Sequence, residues 1–122
     1  MKHIFTAVLS LAFAATTVFA ADKAPSSVIH VINVKWTADA TPEKIKAVLD
    51  FAHTLPSKNV GITRVWTKNI KYQGQEDFKQ AIVMEFASED ALKKWADSKV
   101  QLEWYKVYMP LRDSSRTHDI TN

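Results

Sequence analysis

Apolar residues alternate with polar ones over some stretches of the chain and recur at helical spacing over others. Val28 to Trp36 (VIHVINVKW) is rich in Val and Ile and free of turn residues, which predicts a strand. Thr41 then stands as a helix cap, with Pro42 suited to the first helical position and Glu43 favourable in the first turn. Ile45, Val48, Leu49 and Ala52 recur at helical spacing, so this helix buries one stripe, and Leu55-Pro56 is expected to end it. Gly61 to Lys68 predicts a second strand, Asn69 to Asp77 with its Gly74 a hairpin loop, and Phe78 to Phe86 a third strand. Ser88 caps a second helix that has Glu89 and Asp90 in its first turn and buries Ala91, Leu92 and Trp95. Gln101 to Met109 adds a further helical turn or two before Pro110, and Arg112 to Ile120 closes the chain as a more polar strand.

The order βαββαβ predicts an α+β domain, a four-stranded antiparallel sheet with both helices on one face. Alternation puts Phe78, Gln80, Ile82, Met84 and Phe86 on one side of the third strand, and His30, Ile32, Val34 and Trp36 on one side of the first. Those sides meet the helices. The other side still carries Ile29, Val31, Ala81 and Val83, an apolar patch of a kind seldom left in water. The same face of a second subunit covers it most simply, so a homodimer is expected.

Ahead of the first strand, Met1-Lys2-His3 is a short basic start and Ile4 to Phe19 carry no charge. Val18-Phe19-Ala20 is a small-x-small cleavage site before Ala21-Asp22, and residues 1–20 therefore read as a secretory signal peptide. A retained anchor fits less well, because a membrane-spanning helix wants about 20 strongly apolar residues and this stretch is shorter and diluted with Ala and Thr. Export is expected, to a bacterial periplasm or the extracellular space, with no membrane association after cleavage. Residues 21–27, with Pro25 and two serines, form a short disordered lead-in. The remaining length is one domain's worth and needs no disulfide or metal to fold. At 47% apolar and 24% charged the chain is neither disordered nor fibrous. A net charge of +3, with the charges dispersed, gives no argument for nucleic acid or an anionic membrane. The absence of cysteine excludes a disulfide scaffold, a thiolate metal site, a Cys nucleophile and a lipidated N-terminal Cys.

Three segments carry a family resemblance: Val28-Ile29-His30-Val31, the run Phe86-Ala87-Ser88-Glu89-Asp90-Ala91-Leu92, and Tyr108-Met109-Pro110-Leu111 with His118-Asp119-Ile120. Over residues 28–121 the chain resembles the stress-responsive A/B barrel (Dabb) family, with a relative of the antibiotic biosynthesis monooxygenases as the alternative sharing the dimeric barrel. The resemblance implies a ferredoxin-like fold dimerising through its sheets into an α+β barrel, with a small apolar pocket between each sheet and its own helices. A polyketide cyclase of this type closes its substrate by an aldol reaction without metal or cofactor, using a histidine and a tyrosine from the second-helix region. Here Trp95 stands at the tyrosine position, and Ser98-Lys99-Val100-Gln101 replaces an H-P-x-H stretch, so Gln101 occupies the place of the catalytic histidine. An amide hydrogen-bonds a carbonyl but does not shuttle a proton near neutral pH. The cyclase mechanism is not inherited.

His30 is the leading candidate for chemistry, a helix-facing imidazole able to act as base or to bind a ligand, with Asp119 as a carboxylate to orient it. Against this stands a core histidine and a solvated strand end. Gln80 is a buried amide in want of a partner, and Trp36, Trp66, Trp95 and Trp104 with Tyr105 and Tyr108 either fill the core or wall a pocket for a flat apolar ligand. Ligand-pocket candidates are thus His30, Trp36, Gln80, Trp95, Gln101, Trp104 and Asp119. His53 falls off the apolar stripe and is expected in solvent; His118 is expected on the dimer side with Arg116, within reach of an interfacial pair with Glu85. No histidine spacing supports a metal site, and with Gly61 and Gly74 the only glycines there is no phosphate loop or G-x-S-x-G elbow, so no cofactor is expected. Two functions remain. One is an exported dimeric protein binding a small apolar or aromatic molecule or serving a stress-related role. The other is a cofactor-independent cyclase, lyase or isomerase with His30 as general base. The replaced tyrosine and histidine positions favour the first.

Overall fold

Val/Ile-rich β1 (Val28–Trp36) lies in the interior of the sheet, and the other elements are laid against it. The computed structural model describes residues 14–15 and 26–122. The signal peptide expected over 1–20 and the lead-in over 21–27 lie outside them, save for Ala14, Ala15, Ser26 and Ser27. After β1 come α1 (Pro42–Lys58), β2 (Ile62–Asn69), β3 (Gln80–Phe86), α2 (Glu89–Trp95), α3 (Lys99–Tyr108) and β4 (Arg112–Ile120), with a 3₁₀ turn at Met109–Leu111. The four strands are antiparallel in the order β2-β3-β1-β4, the ferredoxin-like arrangement. The expected caps form: Thr41 Oγ1 accepts from the Lys44 N–H, and Ser88 Oγ from the Ala91 N–H.

The core lies between the sheet and the helices. Val28, Ile32 and Val34 of β1 and Ile82, Met84 and Phe86 of β3 meet Val48, Ala52 and Leu55 of α1, with Trp95, Trp104 and Tyr108 closing it from α2 and α3. The Trp104 indole N–H donates to the Val48 carbonyl at 3.2 Å and so ties α3 to α1.

Three expectations are corrected. First, α1 does not stop at Leu55-Pro56 but runs to Lys58. Pro56 sits in the last turn, where a missing N–H removes one helical bond, and the Asn59 N–H still closes the turn on the Leu55 carbonyl at 2.8 Å. Second, the segment after Ser98 is a ten-residue helix rather than a turn or two. Ser98 starts it by accepting from the Gln101 N–H at 3.2 Å. Third, β3 begins at Gln80, and Phe78 does not share its helix-facing side. Glu76 and Asp77 both have positive φ, 50° and 64°, and the turn they make brings Phe78 beside Asn33, Arg116 and His118 on the opposite face.

On that opposite face the strand registers align Trp66, Val83, Val31 and His118 in one row. On that face Ile29, Val31 and Ala81 are half-buried, and none of them belongs to the core that the described helices cover. The pair of His118 with Glu85 is expected across an interface, and within the chain Glu85 has other partners. Its carboxylate accepts from Arg64 Nε at 3.0 Å, Thr63 Oγ1 at 2.9 Å and Ser27 Oγ at 3.0 Å. The Arg64 guanidinium, with Thr63 and Ser27 adding to it against the cost of desolvation, holds the Glu85 carboxyl below the usual carboxylate range. A carboxyl with a lower pKa folded than unfolded contributes stability above its unfolded value of about 4.3 and loses it as pH falls through the folded value. Glu85→Gln is therefore expected to lower stability at pH 7 and to flatten its decline on acidification, measured as urea midpoints between pH 7 and pH 3. Parallel pH profiles for variant and wild type would contradict this.

Candidate functional site

Between β1 and β4 on one side and α2 and α3 on the other lies a cavity of about 410 Å³, within the size range of small-molecule sites. Its floor is set by strand pairing. His30 opposes Asp119 in the β1–β4 register, so alternation sends both side chains toward the helices. There His30 Nδ1 and Asp119 Oδ1 lie 2.5 Å apart. The His30 side chain is 14% exposed and that of Asp119 45%, which puts the imidazole inside and the carboxylate at the rim. Nδ1 is thus tied to the carboxylate, while Nε2 has no hydrogen bond to any other described residue. Phe86 packs edge-on against the ring at 5.7 Å.

The facing wall is aromatic. Trp95 ends α2, and Tyr105 and Tyr108 project from α3 at the spacing that puts them on one side with Gln101. Burial pushes both phenols up, so both stay protonated and are donors. The Tyr108 hydroxyl is buried and makes no hydrogen bond of normal geometry. Such a group ordinarily costs about 1–3 kcal/mol. Arg112 lies near it, its guanidinium 5.8 Å from the Tyr108 ring and its Nη1 donating to Ser115 Oγ at 3.1 Å. Ser115 and Thr117 complete the polar side on β4.

Of the seven pocket candidates, the structure brings together His30, Trp95, Gln101 and Asp119. Gln101 is nevertheless committed to the backbone: its Oε1 accepts from the Asp97 N–H at 2.6 Å, where Asp97 has a φ of 59° in the tight turn between α2 and α3. Trp104 stands behind the wall, 1% exposed and stacked on Tyr108 at 4.5 Å, and does not line this cavity. Trp36 and Gln80 border a separate, larger cavity of about 660 Å³ between α1 and the β2–β3 loop. Gln80 is satisfied there, its amide donating to the Lys68 carbonyl at 3.0 Å. His53 borders the same cavity, exposed as expected, and is bonded to Thr67 Oγ1 at 3.0 Å.

Arg112, Ser115 and Thr117 lie outside the expected set, and Tyr105 and Tyr108 are expected only as aromatics that either fill the core or wall a pocket. Ser115 and Thr117 follow from Asp119 by simple alternation, and the two tyrosines from helical spacing. Arg112 has no such signal. Lys35 opposes Ser114 while Trp36 opposes Arg112, so Asp113 is an extra residue whose bulge re-aims Arg112 to the helix side.

Comparisons with known proteins agree with this architecture. The model of the Stress responsive A/B Barrel Domain matches residues 28–122. No curated protein matches the sequence. Among solved structures, a dimeric ferredoxin-like protein of unknown function from Bacteroides fragilis is 21% identical, with a TM-score of 0.62 over 80% of this chain and 97% of that one. A Dabb family protein from Mesorhizobium loti is 16% identical, with a TM-score of 0.66 over 79% and 96%. A hydroxynitrile lyase from Passiflora edulis is 14% identical, with a TM-score of 0.71 over 81% and 95%. At these identities the structures establish the shared fold.

Proposed function

The chain belongs to the stress responsive A/B barrel family, and on that premise we propose that it is an exported homodimer that binds a small flat, largely apolar molecule in the cavity between β1/β4 and α2/α3. The His30–Asp119 pair beneath the aromatic wall carries this reading. An imidazole with one nitrogen tied and the other facing an aromatic-lined space is a hydrogen-bonding anchor for a polar group on an otherwise apolar ligand. The dimer rests on the uncovered row Trp66, Val83, Val31 and His118 and on dimeric ferredoxin-like neighbours. Export rests on the cleavable pattern of residues 1–20.

The same pair supports a second reading, a cyclase, lyase or isomerase in which His30 Nε2 takes a proton while Asp119 stabilises the imidazolium. A hydroxynitrile lyase shares the fold. Gln101 and Trp95 supply no second proton-transfer group, although Tyr105 and Tyr108 face the same space.

His30→Ala distinguishes these. Binding of 2-naphthol, followed by quenching of tryptophan fluorescence, is expected to weaken about tenfold with the circular dichroism spectrum unchanged. Unchanged affinity together with a loss of several kcal/mol in stability would make His30 a core residue only. A reaction found in the wild type and abolished in the variant, with binding retained, would establish the second reading.

A further inference from the structure

At one end of the cavity two donors lack an acceptor that matches them. The Tyr108 hydroxyl, on a residue 2% exposed, has Ser115 and Arg112 as polar neighbours but makes no hydrogen bond of normal geometry, the one such buried side-chain polar atom among the described residues. Beside it half-buried Arg112 donates to the Ser115 hydroxyl, lies against Tyr108 and makes no ion pair among the described residues. Half-buried cations are ordinarily compensated. The bulge at Asp113 is what turns Arg112 inward, onto the face shared with Ser115, Thr117 and Asp119. Among the described residues that line the cavity the one carboxylate, Asp119, stands at the other end and is engaged by His30.

Resting on the ligand cavity proposed above, we infer that its ligand is a small aromatic carboxylic acid, the carboxylate held between Arg112 and the Tyr108 hydroxyl and a distal hydroxyl or carbonyl placed at His30. A planar guanidinium fork suits a carboxylate, and the added hydroxyl donor serves one of its two oxygens. A neutral acceptor would satisfy Tyr108 and leave the charge of Arg112 unmatched. The body of the ligand lies against Trp95 and Tyr105 on one side and Ile32 on the other. Ser115 and Asp119 are four strand residues apart, about 13 Å along β4, which sets the reach at one ring with a short unsaturated arm.

Calorimetric titration of the protein as its host produces it, with 4-hydroxycinnamate and with the methyl ester, tests this. The acid is expected to bind about tenfold or more tighter than the ester. Arg112→Gln and Tyr108→Phe should each weaken the acid by about that factor and leave the ester unchanged. Tyr108→Phe should also keep or raise the wild-type melting temperature, since it removes a buried hydroxyl whose approaches to Ser115 and Arg112 fall short of normal hydrogen bonds. Equal binding of acid and ester, with His30→Ala weakening both, would overturn the carboxylate assignment and leave the cavity's role standing. Binding of neither compound, or binding untouched by all three substitutions, would overturn both.

Discussion

Trp104→Ala is expected to destabilise the domain by about 3–5 kcal/mol, the range for emptying a large aromatic site in a close-packed core. For a domain of this size that lowers the melting temperature by about 15–30 °C. The indole is 1% exposed, stacks on Tyr108 at 4.5 Å and leans on Trp95 at 6.5 Å. Its removal leaves a void between α1 and α3 and takes the donor from the Val48 carbonyl. Trp104→Phe retains a stacked ring and loses the hydrogen bond, so it is expected to cost only about 1–3 kcal/mol. Differential scanning calorimetry of the two variants separates packing from the hydrogen bond. Equal losses in both would show that the hydrogen bond, rather than the aromatic stack, joins the helices. Because Tyr108 lies between Trp104 and the cavity, Trp104→Ala is also expected to lose ligand affinity.

Val31→Lys is expected to convert a dimer into a monomer. Val31 is central on the uncovered sheet face, flanked in register by Val83 and His118. In a two-fold dimer the substitution enters twice, and each ammonium must be desolvated without a partner, at a cost of several kcal/mol. Arg116 and Lys68 border the same face, so like charge adds to the penalty. The monomer is expected to stay folded, because Val31 lies on the side away from the core. Sedimentation velocity measures the outcome. An unchanged sedimentation coefficient would remove this face from the interface.

Much of the fold was legible because its signals are local. The Val/Ile run of β1, the caps at Thr41 and Ser88 and the bounds of β4 follow from single residues and their immediate neighbours. What was missed depends on longer-range geometry. Alternation carried Phe78 onto the helix side because nothing at residues 76 and 77 announces that a Glu and an Asp adopt positive φ. Ser98 falls in the segment that aligns with a family stretch, and its role in the fold is to cap α3. In the site, alternation puts His30 on the helix side, and Asp119 as its partner is one of two readings, the other being a solvated strand end; the β1–β4 register sets the two residues opposite each other. Trp36, Gln80 and Trp104 were grouped with them as residues of suitable type on the right layer, but the layer holds two separate cavities and a solid core between elements. Arg112 was invisible because a one-residue bulge reverses the side it faces.

That the His30 cavity is a ligand site in a dimeric protein is tested most directly by native mass spectrometry of the protein purified from its own host without added ligand, wild type beside His30→Ala. The prediction is a dimer in which the wild type carries a discrete small-molecule mass and the variant does not. A monomer, or an empty dimer for both, would contradict it.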